Sequence, residues 1–202
     1  MKSKLLLTAL TCLASTSLFA VDSPAPGSAA PDFSVTDSKG KTQSVSQYKG
    51  KTVVLEWFNP ECPFVKKHYG SNNMQKLQYE FTGKGVVWLT IDSSAAGKEG
   101  HLTSEQAEKQ MTEWKMKSTA LLLDPDGKAG QAYGAKNTPH MFVINPAGKV
   151  IYAGAIDSKA TPNPADIPSS TNYVKAALDE SMAGKSVATP SSRPYGCSVK
   201  YK

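Results

Sequence analysis

Apolar residues in this chain fall into short dense runs separated by longer amphipathic stretches. Residues 51–58 (KTVVLEWF) and 86–91 (VVWLTI) are almost continuously apolar, which predicts central strands of a sheet covered on both faces. Between them, residues 63–81 carry a helical pattern with Met74, Leu77 and Phe81 as the buried stripe, and Gly70-Ser-Asn-Asn73 predicts a kink or restart. A second helix is expected over 103–114, where Thr103 and Gln106 have capping-box spacing and Ala107, Met111 and Trp114 share a face. Residues 121–123 then predict a strand closing on a turn at Asp124-Pro-Asp-Gly127. Two hairpins are expected: 33–35 with 43–45 around Asp37-Ser-Lys-Gly40, and 141–144 with 150–152 around Asn145-Pro-Ala-Gly148. A Pro-rich loop, 157–170, leads to a last helix over 173–182. The order of elements predicts an α/β domain with one central mixed sheet flanked by helices, an N-terminal hairpin and a C-terminal tail without helical period.

The two ends differ in character from the middle. Lys2 and Lys4 precede an apolar stretch at 5–13, and a small-residue zone ends at Phe19-Ala20. A basic start, a short apolar core and a small residue at the cut predict a secretory signal peptide, residues 1–20. The run is about half of what a membrane-spanning helix needs, and no later segment is long and apolar enough, so no stable membrane insertion is expected after cleavage. The implied location is periplasmic or secreted. Residues 21–30, small and Pro-rich, read as a linker; 31–184 form the domain, and 185–202 the tail with Cys197.

Charge and cysteine count narrow the function classes. The net charge of +6 loses two lysines on processing, and the remainder are scattered. With no basic stripe and no recognisable module, nucleic-acid binding is not expected. Cys12 falls within the signal peptide, leaving Cys62 and Cys197. In an oxidising compartment two cysteines can be one disulfide, a redox pair or two separate thiols.

Cys62 follows an apolar strand by a few residues and precedes Pro63, a residue favoured at the first helical position. A thiol at a helix start faces unpaired backbone N–H groups and the positive end of the helix dipole, and Lys66 adds charge one turn on; all three favour thiolate. Glu56 is odd in its apolar run: as a buried carboxylate it has a raised pKa and can pass a proton, whereas at an edge or in a salt bridge it is structural. His68 lies off the helical face of Cys62 and is expected in solvent; His140, after Pro139, is expected as a hydrogen-bonded loop residue. Cys62, Cys197 and His140 lack tight metal-ligand spacing, so neither a metal nor another cofactor is expected.

The segment Glu56-Trp-Phe-Asn-Pro-Glu-Cys62-Pro-Phe-Val65, with Thr138-Pro139 and the tail Gly196-Cys-Ser-Val-Lys-Tyr201, resembles the thioredoxin superfamily. The closer likeness is to its exported, peroxiredoxin-like branch, related to alkyl hydroperoxide reductase and thiol-specific antioxidant proteins. The resemblance covers residues 31–184 and the tail motif, and it implies a thioredoxin-like fold. It places Cys62 as the attacking cysteine, Glu56 as the buried acid beneath it, and Thr138-Pro139 as a cis-proline loop that with Pro63 faces the substrate. Two departures stand out. Val65 occupies the place of the second cysteine of Cys-x-x-Cys, and Asn59 that of the threonine three before a peroxidatic cysteine, while the single arginine, Arg193, lies in the tail. The resemblance therefore implies an antioxidant or thiol–disulfide exchange enzyme, with Cys62 as nucleophile, Cys197 as disulfide partner, and a thiol/disulfide protein or small thiol as redox partner. A weak thiol peroxidase, or a non-catalytic binding protein with a structural bridge, are its alternatives.

Overall fold

The computed structural model describes residues 23–202; the expected signal peptide lies outside the described residues. The chain forms strands β1 (Val35–Asp37), β2 (Thr42–Gln43) and β3 (Val53–Trp57), helices α1 (Pro63–Gly70) and α2 (Asn73–Gly83), then strand β4 (Val87–Asp92). Helix α3 (Ser104–Glu113), strand β5 (Ala120–Leu123) and helix α4 (Lys128–Ala132) follow. Strands β6 (Asn137–Thr138), β7 (His140–Ile144) and β8 (Val150–Gly154), helix α5 (Tyr173–Met182) and strand β9 (Cys197–Ser198) complete it.

Seven strands make one mixed sheet in the order β2-β1-β5-β4-β3-β7-β8, and β6 and β9 form a separate pair. Strand β3 lies inside the sheet, next to the central strand β4, to which it is parallel, and antiparallel to β7 on its other side. Its pleat sends Val53, Leu55 and Trp57 into the core layer that holds Phe33, Ala129 and Tyr133. Val54 and Phe58 enter the opposite layer, with Val65, Tyr69, Leu77, Phe81 and Leu178. Every residue of β3 and β4 is buried, which accounts for the unbroken apolar runs.

The helices begin where local chemistry starts them. Pro63 opens α1 with Cys62 as its N-cap. The expected restart falls at Asn72, whose left-handed backbone (φ 63°) caps α2. In α3, Thr103 and Gln106 make the capping box in both directions. Helix α4 carries no signal of its own, since five residues are too few to display a period.

The end of the expected linker and part of the tail both pack against the sheet. Residues 27–30 hydrogen-bond to Gly148 and Val150, beside the start of β8, and 190–192 do the same at its end, through Ala153. Between them they cover an edge strand that would otherwise present unpaired backbone groups. Gly154 permits this approach, because a Cβ there would lie 2.3 Å from the Ser192 carbonyl oxygen.

Phe81 is wholly buried at the centre of the α2 layer. Its replacement by alanine should cost about 3–5 kcal/mol, read as a fall in the urea midpoint with unchanged slope; a shift near zero would mean that this layer does not carry the fold.

Candidate active site

Strand β3 hands the chain to α1 through a turn built by Asn59. Its side chain accepts from the Glu61 N–H (2.8 Å), its carbonyl accepts from the Cys62 N–H (3.2 Å), and its amide donates to the Glu99 carbonyl (3.2 Å). The loop over it passes so closely that Gly100 (φ 81°) has no room for a Cβ: one would lie 2.3 Å from the Asn59 side chain. Asn59 is thus the residue that aims Cys62.

Cys62 has no exposed surface. As a thiol it donates to the Thr138 carbonyl (3.1 Å), and the Thr138–Pro139 peptide beside it is cis. The tail lies on the same residue. Thr138 pairs with Cys197 and Asn137 with Ser198 in the antiparallel β6–β9 ladder, and the Asn137 amide donates to the Gly196 carbonyl (3.0 Å). Gly196 (φ 117°) is required there, since a Cβ would fall 2.1 Å from the Thr138 oxygen. Within the tail, which was expected to carry no helical period, Cys197–Ser198 form the strand that roofs Cys62.

The two sulfurs polarise each other. Burial pushes the Cys62 thiol up, but hydrogen bonds from the Cys197 S–H, from Thr138 and from the backbone N–H groups of Cys197 and Val65 more than offset it, so its pKa lies below the ordinary thiol value. The Thr138 hydroxyl has no partner while Cys62 is a thiol and is available to the thiolate. Cys197 moves the other way, up to about 12, through burial, its hydrogen bond to Cys62 and the charges of Cys62 and Glu99. It is half-buried, and both cysteines are free thiols.

Two tyrosines tie down the strand on either side of Cys197. Tyr195 packs on the Phe64 ring (centroids 5.7 Å apart) and donates to Asp157. Asp157 also pairs with Lys67 (3.2 Å), whose ammonium donates to the Lys159 carbonyl (2.8 Å). Tyr201 donates to the Ala135 carbonyl (2.8 Å) and lies across Gly127 and Gly130, where any Cβ would strike its ring. Between the anchors, the Val199 N–H donates to the Lys136 carbonyl (3.0 Å) and the Ala95 N–H to the Lys200 carbonyl (2.8 Å).

His68 is buried, contrary to its expected place in solvent, because Tyr195 and Asp157 cover that face of α1. Burial pushes its pKa down to about 4, with Asp157 opposing the shift and Lys67 adding to it, so the ring is neutral near pH 7. His140 sits on β7, its ring tilted against Phe142 (centroids 4.6 Å apart), with its Nδ1 buried and unpartnered. Burial and Lys136 hold it near pKa 4. Arg193 is exposed and makes no hydrogen bond or ion pair among the described residues.

Glu56 is fully buried and points at the helices. Its carboxylate accepts from Tyr69 on α1 (2.8 Å), Gln78 on α2 (3.2 Å), and Trp88 (2.8 Å) and Thr90 (3.2 Å) on β4. Desolvation outweighs these four donors and raises its pKa to about 7. None of the four is Cys62. Of the residues singled out in the sequence, the structure gathers Cys62, Pro63, Thr138, Pro139 and Cys197, and sets Glu56 below them in the core. Tyr195, Asp157, Lys67 and Tyr201 carry no local sequence signal; the glycines that admit the tail are the one trace of their contacts.

Comparison with known proteins bears on this arrangement. The family model described as the AhpC/TSA family matches residues 26–153. The thiol-disulfide oxidoreductase ResA of Bacillus subtilis (strain 168) is 28% identical over 130 residues, 64% of this chain and 67% of ResA. A hypothetical protein of Sinorhizobium meliloti 1021 superposes with a TM-score of 0.75 at 23% identity, covering 89% of this chain and 96% of that one. The thioredoxin domain of a thiol-disulfide oxidoreductase from Bacteroides vulgatus gives 0.53 at 23% identity, covering 73% and 98%. The fold is thioredoxin-like.

Glu56 makes the fold pH-sensitive in a defined window. With an ordinary pKa of 4.5 and a folded one of about 7, the native state keeps a proton that the unfolded chain has lost. Its contribution to stability is full below about pH 4.5 and is lost as pH rises through about 7. The difference in urea midpoint between the wild type and Glu56→Gln should carry this decline, since the opposing contributions of His68 and His140 are common to both proteins; a difference that does not change with pH would mean that the carboxyl is ionised throughout.

Proposed function

This chain belongs to the AhpC/TSA family, and from that premise we propose that it is an exported thiol–disulfide oxidoreductase in which Cys62 supplies the thiolate and Cys197 is its disulfide partner. The observation that carries the reading is the β6–β9 pairing, which sets Cys197 opposite Thr138, the residue whose carbonyl accepts from the Cys62 thiol (3.1 Å), so that both cysteines meet at one residue. An external disulfide would take up the two electrons and two protons lost as Cys62 and Cys197 join, becoming two thiols, and two external thiols would part the bond again. The name of ResA supports the same chemistry, and the pattern from Lys2 to Ala20 supports export, with cleavage after Ala20.

In this reading Thr138 and the Val65 N–H stabilise the thiolate, and Pro63 and Pro139 shape the surface around it. Glu56 fixes α1 through Tyr69 and holds the acid–base position beneath the site. The redox partner is a thiol/disulfide protein or a small thiol. A purely structural bridge is disfavoured because Tyr195 and Tyr201 already anchor the tail without it. Efficient peroxide reduction is disfavoured because Asn59 is spent on the turn and Arg193 is exposed. The absence of a donor to the peroxide oxygens costs on the order of a hundredfold in rate.

Peptide mapping of the oxidised protein without reductant should recover Cys62 linked to Cys197; both cysteines free would sink the assignment. Stopped-flow mixing with peroxide should oxidise Cys62 slowly. Rapid oxidation abolished by Arg193→Ala would establish the thiol peroxidase instead.

A further inference from the structure

The tail does more than bring a second sulfur to Cys62; it decides which sulfur the outside meets. Cys62 has no exposed surface, while Cys197, opposite Thr138 on β9, is partly exposed. The cover is built on both sides of Cys197. Tyr195 is held by Phe64 and the Lys67–Asp157 pair, Tyr201 by Ala135 and the two glycines, and Gly196 lies against the Thr138 carbonyl. We propose that Tyr195 and Tyr201 are positioning residues that make Cys197 the sulfur attacked by an incoming thiol, and restrict Cys62 to exchange with Cys197 while the tail is docked. The inference rests on the reading that the two cysteines form a reversible disulfide.

The chemistry balances. An incoming thiolate attacks the Cys197 sulfur; the new sulfur–sulfur bond forms as the Cys62–Cys197 bond breaks, and Cys62 leaves as thiolate. A second thiolate attacks the incoming group's own sulfur, releasing a symmetrical disulfide and leaving Cys197 to take a proton from water. Two external thiols are oxidised and one protein disulfide is reduced. Thr138, Val65 and the Cys197 backbone stabilise the sulfur that leaves, and a stabilised thiolate is the better leaving group.

Two single-cysteine proteins, Cys62→Ser and Cys197→Ser, should be reduced and mixed with 2,2′-dipyridyl disulfide across pH, with each rate divided by the thiolate fraction its own pH profile gives. The protein keeping Cys197 should react as an accessible thiolate, and the one keeping Cys62 at least about tenfold more slowly, because its reaction waits for local opening. Adding Tyr201→Ala should speed the Cys62 protein by at least about tenfold and leave the Cys197 protein within about twofold. Tyr201→Phe, which keeps the ring and loses only the bond to Ala135, should give about fivefold, so the outcome does not hang on the alanine variant folding. In oxidised wild type quenched in acid after brief exposure to glutathione, the adduct should map to Cys197. A Cys62 thiolate that reacts faster than Cys197, or that ignores both Tyr201 variants, overturns the proposal. An adduct on Cys62 of a protein that does form the bond overturns this inference alone, whereas an oxidised protein without the bond overturns the oxidoreductase reading with it.

Discussion

Two residues of backbone pairing hold the site together. Where Thr138 lies opposite Cys197, one peptide unit receives the Cys62 thiol and its neighbour strand carries the second sulfur. That register explains why Gly196 has no side chain, why Cys62 is buried although it caps a helix, and why the two thiols shift in opposite directions. A slip of one residue would turn Cys197 to the other side of the strand and leave Cys62 with the helix terminus alone.

The rest of the fold holds the two halves of that pairing in place. Strand β3 and the Asn59 turn deliver Cys62, and Glu56 ties the same strand to α1, α2 and β4 from below. On the other half, Lys67 and His68 of α1 face Asp157 and Tyr195, so the helix that presents the thiol also anchors the strand that covers it. Burying an ion pair is costly unless its remaining valences are filled. Here the Lys67 ammonium also donates to the Lys159 carbonyl, and Asp157 accepts from Tyr195.

The sequence disclosed what is local. The runs of β3 and β4, the capping box of α3, the period of α5 and the restart at Asn72 are each written within a dozen residues, and Cys62-Pro63 marks a helix start on its own. The other half of the site, Thr138, Pro139 and Cys197, was legible through the family resemblance alone, and the contacts that hold it could not be read because they are not local. Strands β6 and β9 have two residues each, too short for any alternation, and their partnership spans the distance from Thr138 to Cys197. Lys67 and His68 look like surface residues until Tyr195 covers them. Helix α4 is too short to show a stripe, and residues 27–30 have a linker's composition yet shield β8. Glu56 was visible as an anomaly in an apolar strand, but its four donors come from three separate elements and could not be read from β3 alone.

The account turns on Cys197, paired with Thr138, lowering the pKa of Cys62, and a pH titration of thiolate absorbance in the ultraviolet measures that directly. Wild-type reduced protein should show Cys62 ionising below the ordinary value of about 8.5, and Cys197→Ala, which removes the second thiol and leaves the strand, should move that transition upward. A Cys62 transition unchanged in Cys197→Ala would show that the second thiol has no part in setting the thiolate, and would contradict the account.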